Sequence, residues 1–133
     1  MAFIKFKPIA EVINFKTVLN EEESKVELNK ILESEEKVII AFKAIRDVCI
    51  FTDKRIILVN KKGLKGFCKS IYSIKYSSIS SYTMNIHSIN TSIDLIFDSG
   101  YRLKMNFFKP IPLSDMYQTY EFISDFVLNK VKQ

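Results

Sequence analysis

The chain has 133 residues, a formal net charge of +5, 47% apolar and 26% charged residues, and two cysteines. That length suits one domain, which can bury about two-thirds of the surface its unfolded chain exposes and so needs neither a disulfide nor a metal as a staple. The composition is ordinary for a globular protein, and no apolar run approaches the ~20 residues of a membrane-spanning helix.

The opening, MAFIKFKPIAEVINF, is too broken by Lys, Pro and Glu for the apolar core of a signal peptide, so a cytoplasmic location is expected. Within Met1–Leu19, Pro8 suits the first residue of a short helix. Ile9, Val12, Ile13 and Lys16 follow at helical spacing. Asn20 suits a helix N-cap, and Glu21, Glu22 and Glu23 complement the dipole of a first turn. Val26, Leu28, Ile31 and Leu32 then form an apolar stripe that should end near Ser34. Residues 1–35 are therefore expected to be an N-terminal helical segment.

From Glu36 to Lys62 the chain carries three apolar runs, Val38–Ala44, Val48–Phe51 and Ile56–Val59. Arg46-Asp47 and Asp53-Lys54-Arg55 separate them. Each run is β-branched or aromatic and too short for a stable helix, which predicts a three-stranded antiparallel meander. Asp47 and Asp53 suit its corners, because their side chains can satisfy turn backbone groups. The meander reads as apolar on both faces, with Val38, Ile40 and Phe42 on one and Ile39, Ala41 and Ile45 on the other. One packed core needs only one such face.

Lys61-Lys62-Gly63-Leu64-Lys65-Gly66 reads as an exposed hairpin loop. A fourth strand is expected near Phe67–Tyr72, a bend anchored by Ile74, Tyr76 and Ile79, and a fifth strand near Ser80–Ile86. His87–Asn90 is a turn. Ile93, Leu95 and Phe97 then alternate with polar neighbours, Asp98-Ser99-Gly100 makes a tight turn, and Tyr101, Leu103, Met105 and Phe107 alternate again. Pro110 and Pro112 close the strand region. Ser114 suits an N-cap, and Met116, Tyr120, Ile123, Val127 and Val131 recur at helical spacing. The expected architecture is mainly β. About seven strands over residues 36–109 form two packed antiparallel sheets, a partly open barrel, and a helix over 113–131 caps it.

Chemistry is sparse. The lone histidine, His87, sits in a turn, and no His/Cys/Asp cluster has ligand spacing, so no metal or cofactor is expected. Cys49 and Cys68 each lie in a strand-like run and read as small buried apolar side chains rather than a disulfide framework. No nucleophile elbow, phosphate loop or dinucleotide fingerprint occurs. The carboxylates gather at helix ends, where they are solvated. An enzyme is therefore not expected; one with an unrecognised pocket is the remaining alternative. A tentative anion or membrane-surface patch comprises Lys54, Arg55, Lys61, Lys62, Lys65 and Lys69, against a reading in which these lysines only keep strand edges soluble. Nucleic acid is not expected. The lysines are spread along the chain, arginine occurs only at 46, 55 and 102, and Arg102 and Lys104 fall on the strand face opposite Tyr101 and Leu103.

Ala41-Phe42-Lys43-Ala44-Ile45-Arg46-Asp47 and Phe51-Thr52-Asp53-Lys54-Arg55-Ile56-Ile57-Leu58-Val59 resemble the bacterial pleckstrin-homology-like family, which typically reads AFK-x-IRD and FTNKRLILVD. Asp53 stands where the family usually has Asn. Ser73-Ile74-Lys75-Tyr76-Ser77-Ser78-Ile79 is similar to the family's SIPYKSI, with Lys75 in place of Pro. The resemblance spans roughly Val26 to Val131. It implies a pleckstrin-homology fold and a non-catalytic binding or scaffolding module, with a protein partner. It also implies ring-shaped homo-oligomers, a pentamer being the expected form. The doubly apolar meander and the apolar lead point the same way, which places a tentative subunit interface at Phe3, Ile4, Phe6, Ile9, Ile39 and Ile45. The alternative is that the N-terminal segment covers the outer face of its own subunit.

Overall fold

The fold was obtained as a computed structural model, which describes residues 10–20, 22–23, 30–45, 47–62 and 68–129. The strands are β1 (Ala10–Phe15), β2 (Thr17–Leu19), β3 (Val38–Lys43), β4 (Val48–Thr52), β5 (Arg55–Lys62), β6 (Cys68–Lys75), β7 (Ile79–Ile86), β8 (Asn90–Phe97) and β9 (Arg102–Phe108), followed by helix α1 (Leu113–Leu128). They form a four-stranded sheet in the order β1-β9-β8-β7 and a five-stranded sheet in the order β2-β3-β4-β5-β6. The sheets pack face to face with α1 against them, and the barrel is not closed.

Seven strands fall where the sequence places them, and two more precede them. The helix expected over 9–16 is instead β1. Ile13 and Phe15 alternate inward while Val12 and Asn14 face out. The strand pairs in parallel with β9, from Ala10↔Arg102 to Phe15↔Phe107. A period of two beside an open sheet edge satisfies the backbone and buries both large side chains; a helix here would strand one of them. Phe15 stacks on Phe107 at 5.4 Å, and Phe42 meets Phe107 edge-on at 4.7 Å. The Lys16 N–H donates to the Lys43 carbonyl at 3.2 Å, so the chain crosses from one sheet to the other and seals that corner.

Asn20 caps as expected. The Glu23 N–H donates to Asn20 Oδ1 at 2.8 Å, and the Asn20 N–H donates to Glu23 Oε1 at 2.9 Å, a reciprocal capping box. Val26 and Leu28 of the expected stripe lie outside the described residues. Ile31 and Leu32 lie inside them. They cover, with Leu19 and Val38, the fully buried residues Ala41, Val48, Ile50, Ile57 and Val59 on the outer face of the five-stranded sheet. The second apolar face of the meander is thus a second small core closed by the subunit's own chain. Val38 belongs to this outer face rather than to that of Ile40 and Phe42, because the β3–β4 register shifts between Val38 and Ile40.

The main core lies between the sheets and under α1. Ile93, Leu95, Leu103, Met105 and Ile123 are among its fully buried members. The buried Tyr76, in a short 3-10 turn at Tyr76–Ser78, stacks on Phe126 of α1 at 4.5 Å and donates its hydroxyl to the Thr52 carbonyl at 2.7 Å. Gly100 completes the β8–β9 turn with φ of 92°, a conformation L side chains resist. At the start of α1 the N-cap is Pro112, not Ser114, and no side chain caps it. The fixed backbone of Pro112 sets the extended entry one position early and carries Ser114 into the first turn. Val131, the last residue of the expected stripe, lies outside the described residues.

Candidate functional site

The corner between β4 and β5 is built around a charge that cannot reach water. The Glu36 side chain is fully buried. Arg55 grips it bidentately, Nε to Oε2 and Nη2 to Oε1, both at 2.9 Å. The Thr52 hydroxyl donates to Oε2 at 2.6 Å, and the Glu33 N–H donates to Oε1 at 3.2 Å. Burial alone would raise the Glu36 pKa. The Arg55 and Thr52 hydrogen bonds, the Glu33 amide and the Arg55 charge together outweigh it and hold the carboxyl at about 2. Arg55 also donates to the Ile31 carbonyl at 3.0 Å and to Ser73 Oγ at 2.7 Å. This arginine therefore ties the covering segment, the meander and β6 together.

Of the expected anion patch, this geometry accounts for Arg55. Arg55 is spent inside the subunit. Lys54 is exposed beside it, while Lys61 pairs in register with Lys69 at the far end of β5, ~20 Å away for six strand residues. Lys69 is exposed. The side chains of Lys61 and Lys62, and all of Lys65, lie outside the described residues. Among the described residues, the backbone thus places Lys54 and Arg55 at one end of β5 and Lys61 and Lys69 at the other. Of the expected subunit interface, Phe3, Ile4, Phe6 and Ile9 lie outside the described residues. Ile39 is half-buried on β3, and Ile45 stands at the β3–β4 hairpin tip with 88% of its surface exposed.

Other chemistry is quiet. Cys49 is buried in the core with its sulfur 3.9 Å from that of Met105, and burial pushes its thiol far above the usual range, away from nucleophilic use. The Cys68 side chain lies outside the described residues. His87 is exposed in the β7–β8 turn. Among the described residues, no three His, Cys, Asp or Glu side chains converge as metal ligands, and no helix is long and apolar enough to cross a membrane.

Among the described residues lies a concavity that the sequence did not single out. A groove of 930 Å³ runs beside β6, lined by Leu58, Ile71, Tyr72, Ile74, Phe97 and Tyr101 together with Ser73, Lys75, Ser78, Asp98 and Ser99. One wall is β6, the edge strand of the five-stranded sheet, and the other is the β8–β9 turn. The Asp98 N–H donates to the Ser78 carbonyl at 2.8 Å and closes one end. Among the described residues β6 pairs with β5 alone, so its other side presents unpaired backbone groups to the groove. Ile71 and Tyr72 remain 44% and 45% exposed, a large apolar pair on adjacent residues of an edge strand. That adjacency is the signal in the sequence: in a strand, neighbours face opposite ways, so one core cannot take both.

Comparison with known proteins agrees with this architecture. Residues 9–127 match the family model of the bacterial PH domain. Over 58 residues the chain is 50% identical to the uncharacterized protein YjqA of Bacillus subtilis (strain 168), a stretch covering 44% of this chain and 46% of that one; the match thus spans about half of the relative's length. Among solved structures, a DUF1696-family protein with a pleckstrin-homology domain from Shewanella loihica PV-4 superposes with a TM-score of 0.68 at 25% identity, covering 82% of this chain and 94% of that one. The pleckstrin-homology domain from Shewanella amazonensis SB2B gives a TM-score of 0.59 at 25% identity, covering 76% and 85%. A PH-domain-containing protein from Exiguobacterium sibiricum 255-15 shares the fold with a TM-score of 0.63 at 15% identity, covering 84% of this chain and 63% of that one. A family match over residues 9–127, carried by two packed sheets with their capping helix in place, makes this chain a member of the bacterial PH domain family.

Proposed function

We propose that this domain is a non-catalytic binding module that takes up an extended protein segment along β6. The observation that carries the reading is the pairing of an apolar groove with an unpaired strand edge. The edge offers main-chain hydrogen bonds at the spacing of a strand, and Ile71, Tyr72 and Ile74 offer apolar contacts on its two sides. Lys69 and Lys75, both exposed on β6, favour acidic residues at the ends of the segment. A free buried thiol at Cys49 suits a reducing, cytoplasmic setting. Selection of displayed extended peptides, followed by amide-shift mapping, tests the reading. Binders should move the amides of 69–75 and be lost in the Ile71→Lys/Tyr72→Lys variant. Binders that map elsewhere, or that survive this variant, would overturn it.

Self-assembly into a cyclic homo-oligomer is a second reading. The outer face of the meander is covered within the subunit and offers no contact surface for it. What favours it is that the five-stranded sheet has two unpaired edges among the described residues, β2 and β6, so a copy could add head-to-tail and close into a ring.

A further inference from the structure

A second cleft lies where the ends of β1 and β9 meet the β7–β8 turn. It has a volume of 650 Å³ and is lined by Asn14, Lys16, Ser88, Ile89, Phe108 and Lys109. Every polar side chain in that lining can donate a hydrogen bond, and no carboxylate is among them. Asn14 is oriented by a relay of carboxamides across the sheet. Asn90 Nδ2 donates to Asn106 Oδ1 at 3.4 Å, and Asn106 Nδ2 donates to Asn14 Oδ1 at 2.9 Å. The relay uses the acceptor of Asn14 and leaves its Nδ2 donors over, at the cleft. Lys16 and Lys109 are exposed and bring two positive charges to the same lining. The β7–β8 turn and Lys109 also border a smaller cleft of 210 Å³ that reaches Leu113 and Met116, so the positive end of α1 lies on the same side of the molecule.

We propose that this cleft is a binding site for a phosphate-type anion, held by Asn14 Nδ2, the Ser88 hydroxyl and the ammonium groups of Lys16 and Lys109. An all-donor lining with two cations matches a tetrahedral dianion with several acceptor oxygens, and disfavours a neutral or cationic ligand. Ile89, 72% exposed at the tip of the turn, and Phe108 beside it give the site an apolar rim against which the organic part of a phosphoester can rest. The phosphate can belong to a lipid headgroup or to a soluble phosphoester. The recognising chemistry is the same, and the depth to which Ile89 is used distinguishes the two.

The test is amide-shift titration of the full chain with inorganic phosphate at moderate salt, with chloride as the control anion. Shifts should concentrate at Asn14, Lys16, Ser88 and Lys109, and Lys16→Gln/Lys109→Gln should weaken binding at least about tenfold. Asn14→Asp, which keeps both lysines but places a carboxylate in the lining, should do the same, while Lys37→Gln, at an exposed lysine outside both clefts, should leave phosphate binding unchanged. Shifts spread over lysines throughout the protein, or phosphate binding that survives both cleft variants, would overturn the proposal. Co-sedimentation with phosphatidylglycerol–phosphatidylcholine vesicles separates the sources. Vesicle binding lost in both Ile89→Ser and the double lysine variant assigns the lipid headgroup. Phosphate and glycerol phosphate binding without vesicle binding assigns a soluble ligand.

Discussion

Glu36 shows how much of this fold hangs on one residue. Its folded pKa of about 2 lies below the ordinary 4.5, so its ionised form stabilises the fold fully above pH 4.5. That contribution is lost as the pH falls from there through 2. A shift of this size is worth about 3 kcal/mol, and the complete burial of the side chain means solvent screening removes little of it. Urea unfolding followed against pH should show a falling acid limb in this window. Glu36→Gln should flatten that limb and lower stability at neutral pH by roughly 3 kcal/mol or more, since Arg55 loses its partner. An unchanged acid limb would mean that other carboxylates set it. Gly100→Ala isolates a different effect. No atom lies within 4 Å of the added methyl, so the whole cost, about 1 kcal/mol, should come from holding a non-glycine residue at φ of 92°.

At the scale of elements, α1 is the piece whose loss should unfold the domain. Met116, Thr119, Ile123 and Val127 are its buried residues, and Ile123 is fully enclosed. Ile123→Asp would place an unpartnered carboxylate in the main core and should cost several kcal/mol, read as loss of a cooperative thermal transition. Near-native thermal stability in this variant would show that α1 does not close the core. The strands from β3 to β9 and the position of α1 were legible because each is encoded locally, by alternation, by turn residues and by a helical stripe. β1 was not, for a physical reason. Ile9, Val12, Ile13 and Lys16 satisfy a helical period, while Ile13 and Phe15 satisfy a strand period. The pairing that decides between them is with β9, about ninety residues later in the chain. The displacement of Val38 has the same character: a register shift against β4 reverses a side chain that simple alternation places on the other face. Of the candidate sites, the groove beside β6 was half legible, in the neighbours Ile71 and Tyr72. Its far wall and the cleft at Asn14 each join segments remote in sequence, and no local spacing announces them.

At the scale of the whole molecule, the covered meander changes which surfaces can join copies of the chain. Val48, Ile50, Ile57 and Val59 contribute to a second core under Ile31 and Leu32, so they are not free to build a subunit interface. The remaining apolar exposure among the described residues is scattered, at Val12, Ile45, Ile71, Tyr72, Ile86, Ile89, Leu113, Tyr117 and Leu128. Val12 and Ile86 stand singly on β1 and β7, the edges of the four-stranded sheet, whereas Ile71 and Tyr72 are adjacent on an edge strand and line a groove, so edge-to-edge assembly is expected to run through β6. Deleting Met1–Leu19 would not test this, because Ile13 and Phe15 are core residues and the truncated chain should unfold. A point variant avoids the confusion. Ile71→Lys/Tyr72→Lys alters two exposed side chains and should leave the thermal transition near that of the parent. Sedimentation equilibrium at micromolar concentration should then give the parent chain as a multiple of 15.5 kDa and the variant as a single chain. A parent that sediments as one chain ends the ring and leaves the groove open to a peptide from another protein. A parent multiple that the variant retains would place the contact away from β6, and with it the argument from strand edges would fail.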